Sequence, residues 1–301
     1  MKIFIDTAEI EEIKQAYSWG IVGGVTTNPS LIKQAVQSRE EVELDEYIAD
    51  ICKAVEGPVS LEVIGLTYEK MIEEGQLLYE KFNSVNNNVV VKIPINTHLE
   101  GESQGSYEGL KAIKELSQQG IPVNTTLIMK PEQALLAAKA GADFVSPFAG
   151  RVDDYIRSKV GLTRGEDYKK GDYHDSALMG DASQLRLQPT YNDLTGSSVD
   201  AIYQEEEVRE TRAAVNDQGI KNGVHLVKSM RDIFDNYDFD TELLAASTRN
   251  SRQVREIAEA GADVSTIPFK VIREMVGHYK TEQGVKSFSE DVVPEYKSIF
   301  E

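Results

Sequence analysis

Short apolar runs alternate with longer stretches of helical periodicity along almost the whole chain. The runs that read as strands are Lys2–Thr7, Gly24–Thr27, Val59–Ile64, Val89–Ile95, Val123–Ile128, Phe144–Pro147, Glu242–Ser247 and Asp263–Ile267. Alternation of short strands with helices builds βα units, and strands buried on both faces of a parallel sheet read as near-continuous apolar runs. Eight units, mostly with one helix each, predict an α/β protein whose strands close into a (β/α)8, or TIM, barrel. No Gly-x-Gly-x-x-Gly follows the first run, which disfavours an open dinucleotide-binding sheet.

The joint between units repeats. Ala137-Ala138-Lys139-Ala140-Gly141-Ala142-Asp143 leads into Phe144-Val145-Ser146-Pro147-Phe148, and Ile257-Ala258-Glu259-Ala260-Gly261-Ala262-Asp263 leads into Val264-Ser265-Thr266-Ile267-Pro268-Phe269. In each, a helix ends, a glycine supplies the turn and a strand begins. Residues 156–222 break the rhythm: they are polar, rich in Gly, Asp, Tyr and Ser, and end in the charged run Gln204-Glu205-Glu206-Glu207-Val208-Arg209-Glu210. With no pattern dense enough for a core of its own, this segment reads as an insertion after the sixth strand of a single domain, 1–301, serving as a lid, an interface or a mobile arm. A shorter insert, His98–Tyr107, follows the fourth strand. Both leave the C-terminal ends of strands, the side on which barrel active sites are built. Tyr17 and Trp19 read as packing residues, and Ser287–Glu301 as a last helix over the barrel mouth or a neighbouring subunit.

Composition narrows the partners. With 301 residues, 41% of them hydrophobic, the chain can bury a large core. Its formal net charge of −18 disfavours nucleic acid and anionic membranes, yet a local basic pocket inside an acidic protein still suits a phosphate. No apolar run approaches the roughly 18 residues of a membrane-spanning helix, and the start of the chain, which meets Asp6 at once, does not read as a signal peptide. The single cysteine, Cys52, excludes an internal disulfide and reads as a small core residue, so a soluble protein of the reducing cytoplasm is expected.

A few polar residues sit where strands should be aliphatic. Lys92 lies inside Val89-Val90-Val91-Lys92-Ile93-Pro94; a lysine is almost never buried there without a reason, the plain alternative being a strand-end lysine that reaches solvent. Asp6 closes the first run and Glu62 lies within Ser60-Leu61-Glu62-Val63-Ile64. Thr26 and Asn28, Asn124 and Thr126, and Ser247 and Arg249 are pairs two residues apart, so each pair shares one face. Singly, each serves equally well to cap a helix or tie a loop; together they predict one site at one end of six strands. A lysine in a largely apolar pocket yields a free amine, which attacks carbonyls to form an imine, an electron sink for cleaving the adjacent carbon–carbon bond. Asp6 and Glu62 are the candidate proton carriers, or else simple ion-pair partners that hold Lys92 charged. The four histidines, His98, His174, His225 and His278, lack ligand spacing, so no catalytic metal is expected. Ser146 and Ser247 lack a partner histidine in a nucleophile elbow. A non-catalytic barrel, with the acidic insertion as a partner surface, would instead tolerate loss of Lys92.

Phe4-Ile5-Asp6-Thr7, Val25-Thr26-Thr27-Asn28-Pro29-Ser30-Leu31, Leu61-Glu62-Val63 and Val91-Lys92-Ile93-Pro94 together resemble the transaldolase family, which also contains the fructose-6-phosphate aldolases. Asn124-Thr125-Thr126-Leu127, Ser146-Pro147-Phe148-Ala149-Gly150-Arg151 and Ala246-Ser247-Thr248-Arg249-Asn250 continue the match in order, over residues 1–155 and 222–285. The resemblance implies class I chemistry on small sugar phosphates with no metal or other cofactor. It implies Lys92 as the Schiff-base residue at a ketose C2 carbonyl, and Asp6 as the acid/base when the C3–C4 bond breaks. It assigns Glu62 and Thr126 to a proton-passing water, with Asn28 and Asn124 on the dihydroxyacetone hydroxyls beside Thr26. Ser146, Arg151, Ser247 and Arg249 match the positions that hold the phosphate, for which a guanidinium fork is well suited. It also implies a homo-oligomer. Fructose-6-phosphate aldolases resemble this pattern with a glutamine in place of Glu62 and a lysine in place of Arg249, so both residues favour the transaldolase branch. The insertion leaves the strand carrying Arg151, near the phosphate end, and keeps open whether the anionic tail is a phosphate or a sulfonate.

Overall fold

In a computed structural model that describes residues 1–37, 39, 43–98 and 107–301, the eight aliphatic runs form eight parallel strands. Most of the shorter insert expected at 98–107 lies outside the described residues. β1 (Lys2–Asp6) leads through α1 (Ile10–Ser18) to β2 (Val22–Thr26), and α2 (Pro29–Gln37) and α3 (Leu44–Ala54) precede β3 (Val59–Glu62). Next come α4 (Tyr68–Asn86), β4 (Val89–Pro94), α5 (Glu108–Gln118), β5 (Val123–Ile128), α6 (Pro131–Ala140), β6 (Phe144–Pro147) and α7 (Ala149–Lys159). The insertion holds α8 (Ser176–Arg186), α9 (Gln188–Asp193), α10 (Val199–Gln204) and α11 (Glu206–Ala214). The chain then resumes with α12 (Gly223–Tyr237), β7 (Glu242–Ala245), α13 (Ser251–Glu259), β8 (Val264–Ile267) and α14 (Phe269–Glu274), and ends with α15 (Tyr279–Glu290) and α16 (Pro294–Lys297). Strand order follows sequence order and β8 pairs with β1, so the predicted α/β barrel is closed and leaves no sheet edge.

Alternation along the strands sorts their side chains into two sets. Ile5, Val25, Leu61, Val91, Ile93, Val123, Val145, Leu243 and Ile267 face outward into the two large clusters shared with the helices. Phe4, Val90, Phe144, Leu244 and Val264 face inward and form an apolar plug. Two residues further along the same strands stand Asp6, Lys92, Ser146, Ala246 and Thr266. The apolar filling therefore stops one layer below the C-terminal mouth, and mostly polar side chains begin there.

The repeated joint is built as its sequence suggests. Gly141 (φ 98°) and Gly261 (φ 88°) take the left-handed conformation that ends α6 and α13 at little steric cost. The aspartates that follow act alike. Asp143 Oδ2 accepts from Val123 N at 2.8 Å and Asp263 Oδ2 from Leu243 N at 2.7 Å, each tying the start of the neighbouring strand. Trp19 stacks on Phe269 with ring centroids 5.6 Å apart, a packing role. Cys52 is buried in the core.

Most strands differ from expectation by one or two residues at an end, β2 running Val22–Thr26 and β3 ending at Glu62, and three differences bear on the site or on the ends of elements. β7 ends at Ala245 rather than Ser247, because Ser247 turns left-handed (φ 59°) and leaves the extended conformation. The insertion starts at 160, since residues 149–159 form α7, and it is helical rather than a long loop. Its helical pattern is faint because its helices bury so little: Ser183 on α8, Thr211 on α11, and nothing on α9 or α10. Asp175 starts α8 by accepting from Ala177 N at 3.0 Å and Leu178 N at 3.1 Å. The stretch expected as one last helix from Ser287 is divided: residues 287–290 are the end of α15, which starts at Tyr279 and is capped by His278, and the short α16 opens at Pro294. Among the described residues no helix is long and apolar enough to cross a membrane.

Candidate active site

Strand register assembles the centre. Glu62 lies opposite Lys92 and Lys92 opposite Asn124, so three neighbouring strands present these side chains at one level. Lys92 is 5% exposed; its Nζ donates to the Thr27 carbonyl at 2.9 Å and lies 3.0 Å from Glu62 Oε2. Its immediate partners are a carboxylate and a carbonyl, so the largely apolar pocket anticipated from the sequence gives way to a polar one. On the other side Asp6 pairs in register with Thr26, and Thr26 Oγ1 donates to Asp6 Oδ1 at 2.8 Å while meeting Thr266 Oγ1 at 2.6 Å. Burial raises the Asp6 carboxyl above its ordinary value, and the Lys92 charge and the Thr26 hydrogen bond oppose this only in part.

These groups line one cavity of about 670 Å³ at the barrel mouth. Asp6, Thr26, Asn28, Glu62, Lys92, Ser146, Arg151, Ser247 and Arg249, all picked out in the sequence, lie on its wall. Asn28 also caps α2, its Oδ1 accepting from Leu31 N at 3.0 Å. Asn124 and Thr126 are not on the wall. Asn124 lies fully buried behind it, donating to Ser60 Oγ at 3.1 Å and accepting from Ser146 Oγ at 2.7 Å. Thr126 is also fully buried, and its Oγ1 has no hydrogen-bond partner among the described residues. Leu127, turned left-handed (φ 60°) where the β5–β6 register shifts, faces the cavity beyond them. Arg151 stands in the first turn of α7 instead of on a strand, its guanidinium 5.1 Å from the Phe148 ring centre. Ser247, Thr248 and Arg249 all reach the wall beyond the end of β7, where Ser247 turns left-handed, and Thr248 Oγ1 donates to the Thr266 carbonyl at 3.0 Å.

Asp154 organises the cationic end. Its Oδ2 lies 2.8 Å from Arg249 Nη2 and 3.1 Å from Arg164 Nη1. The backbone of Arg249 is held as well, Arg249 N donating to Gln253 Oε1 at 2.8 Å, while Gln253 Nε2 donates to Asp153 Oδ2 at 2.8 Å. Sequence reasoning missed Ser60, Thr266, Asp154, Arg164 and Lys170. The first two were detectable, because each keeps the inward parity of its strand. Asp154 sits on a helix and the two cations in the insertion, where no periodicity marks a direction.

The fold and the site together define a (β/α)8-barrel protein whose mouth holds a buried lysine beside a carboxylate and faces a group of arginines. The Transaldolase/Fructose-6-phosphate aldolase family matches residues 3–182 and 197–300, the break falling inside the insertion. A probable transaldolase of Caldicellulosiruptor saccharolyticus is 40% identical over 292 residues, covering 97% of this chain and 96% of that protein. Probable transaldolases of Desulfatibacillum aliphaticivorans, 38% identical over 97% of each chain, and of Clostridium tetani, 36% identical over 99% of each, are similar along their whole lengths. The chain belongs to the transaldolase/fructose-6-phosphate aldolase family, as its motifs indicated.

Proposed function

We propose that the protein transfers a dihydroxyacetone unit from a ketose phosphate, such as fructose 6-phosphate or sedoheptulose 7-phosphate, to an aldose phosphate through a Schiff base on Lys92. The observation that carries this reading is the buried Lys92, 3.0 Å from Glu62, in one cavity with Asp6 and, beyond them, Arg151 and Arg249. Transfer of a proton from Lys92 to Glu62 across that contact frees the amine for attack on the ketose C2 carbonyl. The carbinolamine loses its oxygen as water, with Glu62 returning the proton, and the imine forms. Thr126, a buried hydroxyl without a protein partner among the described residues, is suited to hold the water that passes protons in these steps. Asp6 then takes the proton of the C4 hydroxyl as the C3–C4 bond breaks. The bond's electron pair is held in an enamine on Lys92, and the aldose phosphate departs. Addition of the enamine to an acceptor aldehyde and hydrolysis of the new imine complete the transfer. The burial that raises the Asp6 carboxyl suits it to hold a proton between the two half-reactions. The far end of the substrate is anchored by the arginines, whose forked donors match a phosphate.

Glu62 and Arg249 support transfer over simple cleavage, since the aldolase branch resembles this pattern with glutamine and lysine at those places. Incubation with fructose 6-phosphate and borohydride, read by peptide mass, should place a reduced three-carbon unit on Lys92. An unmodified Lys92 under turnover conditions refutes the proposal. Free dihydroxyacetone released without any acceptor reassigns the protein to cleavage.

A further inference from the structure

The cavity wall is completed by a part of the insertion for which the substrate chemistry above gives no reason. Arg164 and Lys170 both line the cavity, and the segment that carries them is anchored at several points. Within it, Thr163 N donates to Asp167 Oδ2 at 2.8 Å, Gly165 N to the Tyr168 carbonyl at 2.8 Å and Lys169 N to Asp172 Oδ2 at 2.8 Å. It is tied to the barrel by Asn250 Nδ2, which donates to the Gly171 carbonyl at 3.0 Å, and by Arg157 Nη2, which donates to the Asp172 carbonyl at 3.0 Å. The Arg157 guanidinium also lies over the Tyr168 ring, 4.2 Å from its centre. The two cations are thus presented by a folded loop with fixed ends, before any ligand arrives.

The charge balance at this end of the cavity is one-sided. Arg151, Arg164, Lys170 and Arg249 converge, and the carboxylate in contact with them is Asp154, whose Oδ2 is shared by Arg164 and Arg249. Arg151 and Lys170 have no carboxylate within ion-pair distance among the described residues. Asp6 and Glu62 belong to the Lys92 end. Lys170 lines the same cavity from an exposed position. Asp154 also pairs with Arg157, 3.8 Å from its Oδ1, and Asp153, the other carboxyl acting on Arg249, is raised to about 7 by burial. The cations therefore keep a surplus that a dianion offsets better than a single negative charge does.

We propose that Arg164 and Lys170 extend the Arg151 and Arg249 pair into a broader anion subsite, which selects sugars with a dianionic phosphate end over monoanionic sulfonates and over sugars with no charged end. This assignment rests on the reading that a sugar reacts at Lys92, and it names the insertion loop at 163–172 as the specificity element of that site. The loop's cations add attraction where the phosphate sits and leave the Schiff-base chemistry to the strands.

The test uses the full chain and three variants: Arg164→Ala with Lys170→Ala, Lys170→Ala alone, and Arg164→Lys. Competition kinetics with fructose 6-phosphate and fructose give the ratio of their kcat/KM values. This ratio should fall about tenfold or more in the double variant, since hydrogen bonds to charged groups contribute about 1.5–3 kcal/mol each, with Arg164→Lys falling between it and wild type. A ratio within about twofold of wild type overturns the subsite. Lys170 is exposed and makes no ion pair among the described residues, so its single variant keeps the test meaningful if removal of Arg164 disturbs the Asp154 cluster. A second measurement is independent of the chemistry: calorimetric titration of each protein with inorganic phosphate. Weaker phosphate binding in the variants upholds the subsite even if borohydride finds no adduct on Lys92, in which case only the transferase reading fails. Equal binding by wild type and the double variant overturns the subsite even if the adduct forms.

Discussion

Replacing Gly150 by alanine should dislodge Arg249. Gly150 is the second residue of α7, and a methyl placed there would lie 2.1 Å from Arg249 Nε, 2.3 Å from the Ser247 carbonyl oxygen and 2.6 Å from Arg249 Cγ. Carbon contacts are comfortable at about 3.5–4.0 Å, so the added group sits roughly an ångström too deep. A rotamer change of Arg249 would relieve two of these contacts, but the Ser247 oxygen is backbone. It already accepts from Gly150 N at 3.2 Å, so the loop itself must shift. Two terms oppose each other. Alanine gains up to about 1 kcal/mol over glycine inside a helix, less in a first turn. Overpacking typically costs about 1–3 kcal/mol, and a clash with backbone lies at the upper end of that range. Overpacking wins, for a net loss of about 1–2 kcal/mol. That lowers Tm by several degrees, at about 2–4 °C per kcal/mol in chains of about 150–250 residues. If Arg249 holds the substrate phosphate, KM for fructose 6-phosphate rises about tenfold as well, the effect of losing one charge-assisted hydrogen bond. Thermal denaturation and initial-rate kinetics measure both. An unchanged or higher Tm with an unchanged KM refutes the close approach of α7 to the β7 loop and the role of Arg249 together.

Two further outcomes follow from buried titratable groups. Burial lifts Asp153 from an ordinary 3.8 to about 7, despite its hydrogen bond from Gly223 N. Between those values the folded state keeps a proton that the unfolded chain releases, so this residue's contribution makes stability fall as pH rises through that window, and it levels off above about 7. Asp153→Asn should flatten that slope in urea midpoints taken from about pH 4 to about pH 8, and identical slopes for the two proteins would refute it. Burial also raises the Cys52 thiol to about 11, so a thiol reagent at neutral pH should label it only after unfolding; rapid labelling of the folded protein contradicts its place in the core.

Legibility in the sequence followed the range of the physics. Strand alternation has a period of two residues, a purely local rule, so Val90 inward places Lys92 inward as surely as Phe4 places Asp6. The same rule carried Glu62, Thr26 and Ser146 to the correct face, and outward aliphatics marked the eight strands because burial against helices stabilises each of them by about 1.5–3 kcal/mol. The rule fails where the backbone leaves the extended conformation. Where Ser247 turns left-handed, Thr248 and Arg249 both reach the wall, and the shift at Leu127 leaves Thr126 buried behind it.

The sequence alone therefore determined the barrel, the lysine and its carboxylates, because each depends on neighbours within a few positions and on a pattern repeated eight times. The cationic end was decided only in three dimensions. Asp154 from α7, Arg249 from beyond β7 and Arg164 from the insertion meet at one carboxylate oxygen, although 95 residues separate the first two along the chain. No local preference encodes such a meeting; it exists because closing the barrel brings β6 beside β7, and the segment that leaves α7 brings Arg164 to the same cavity wall.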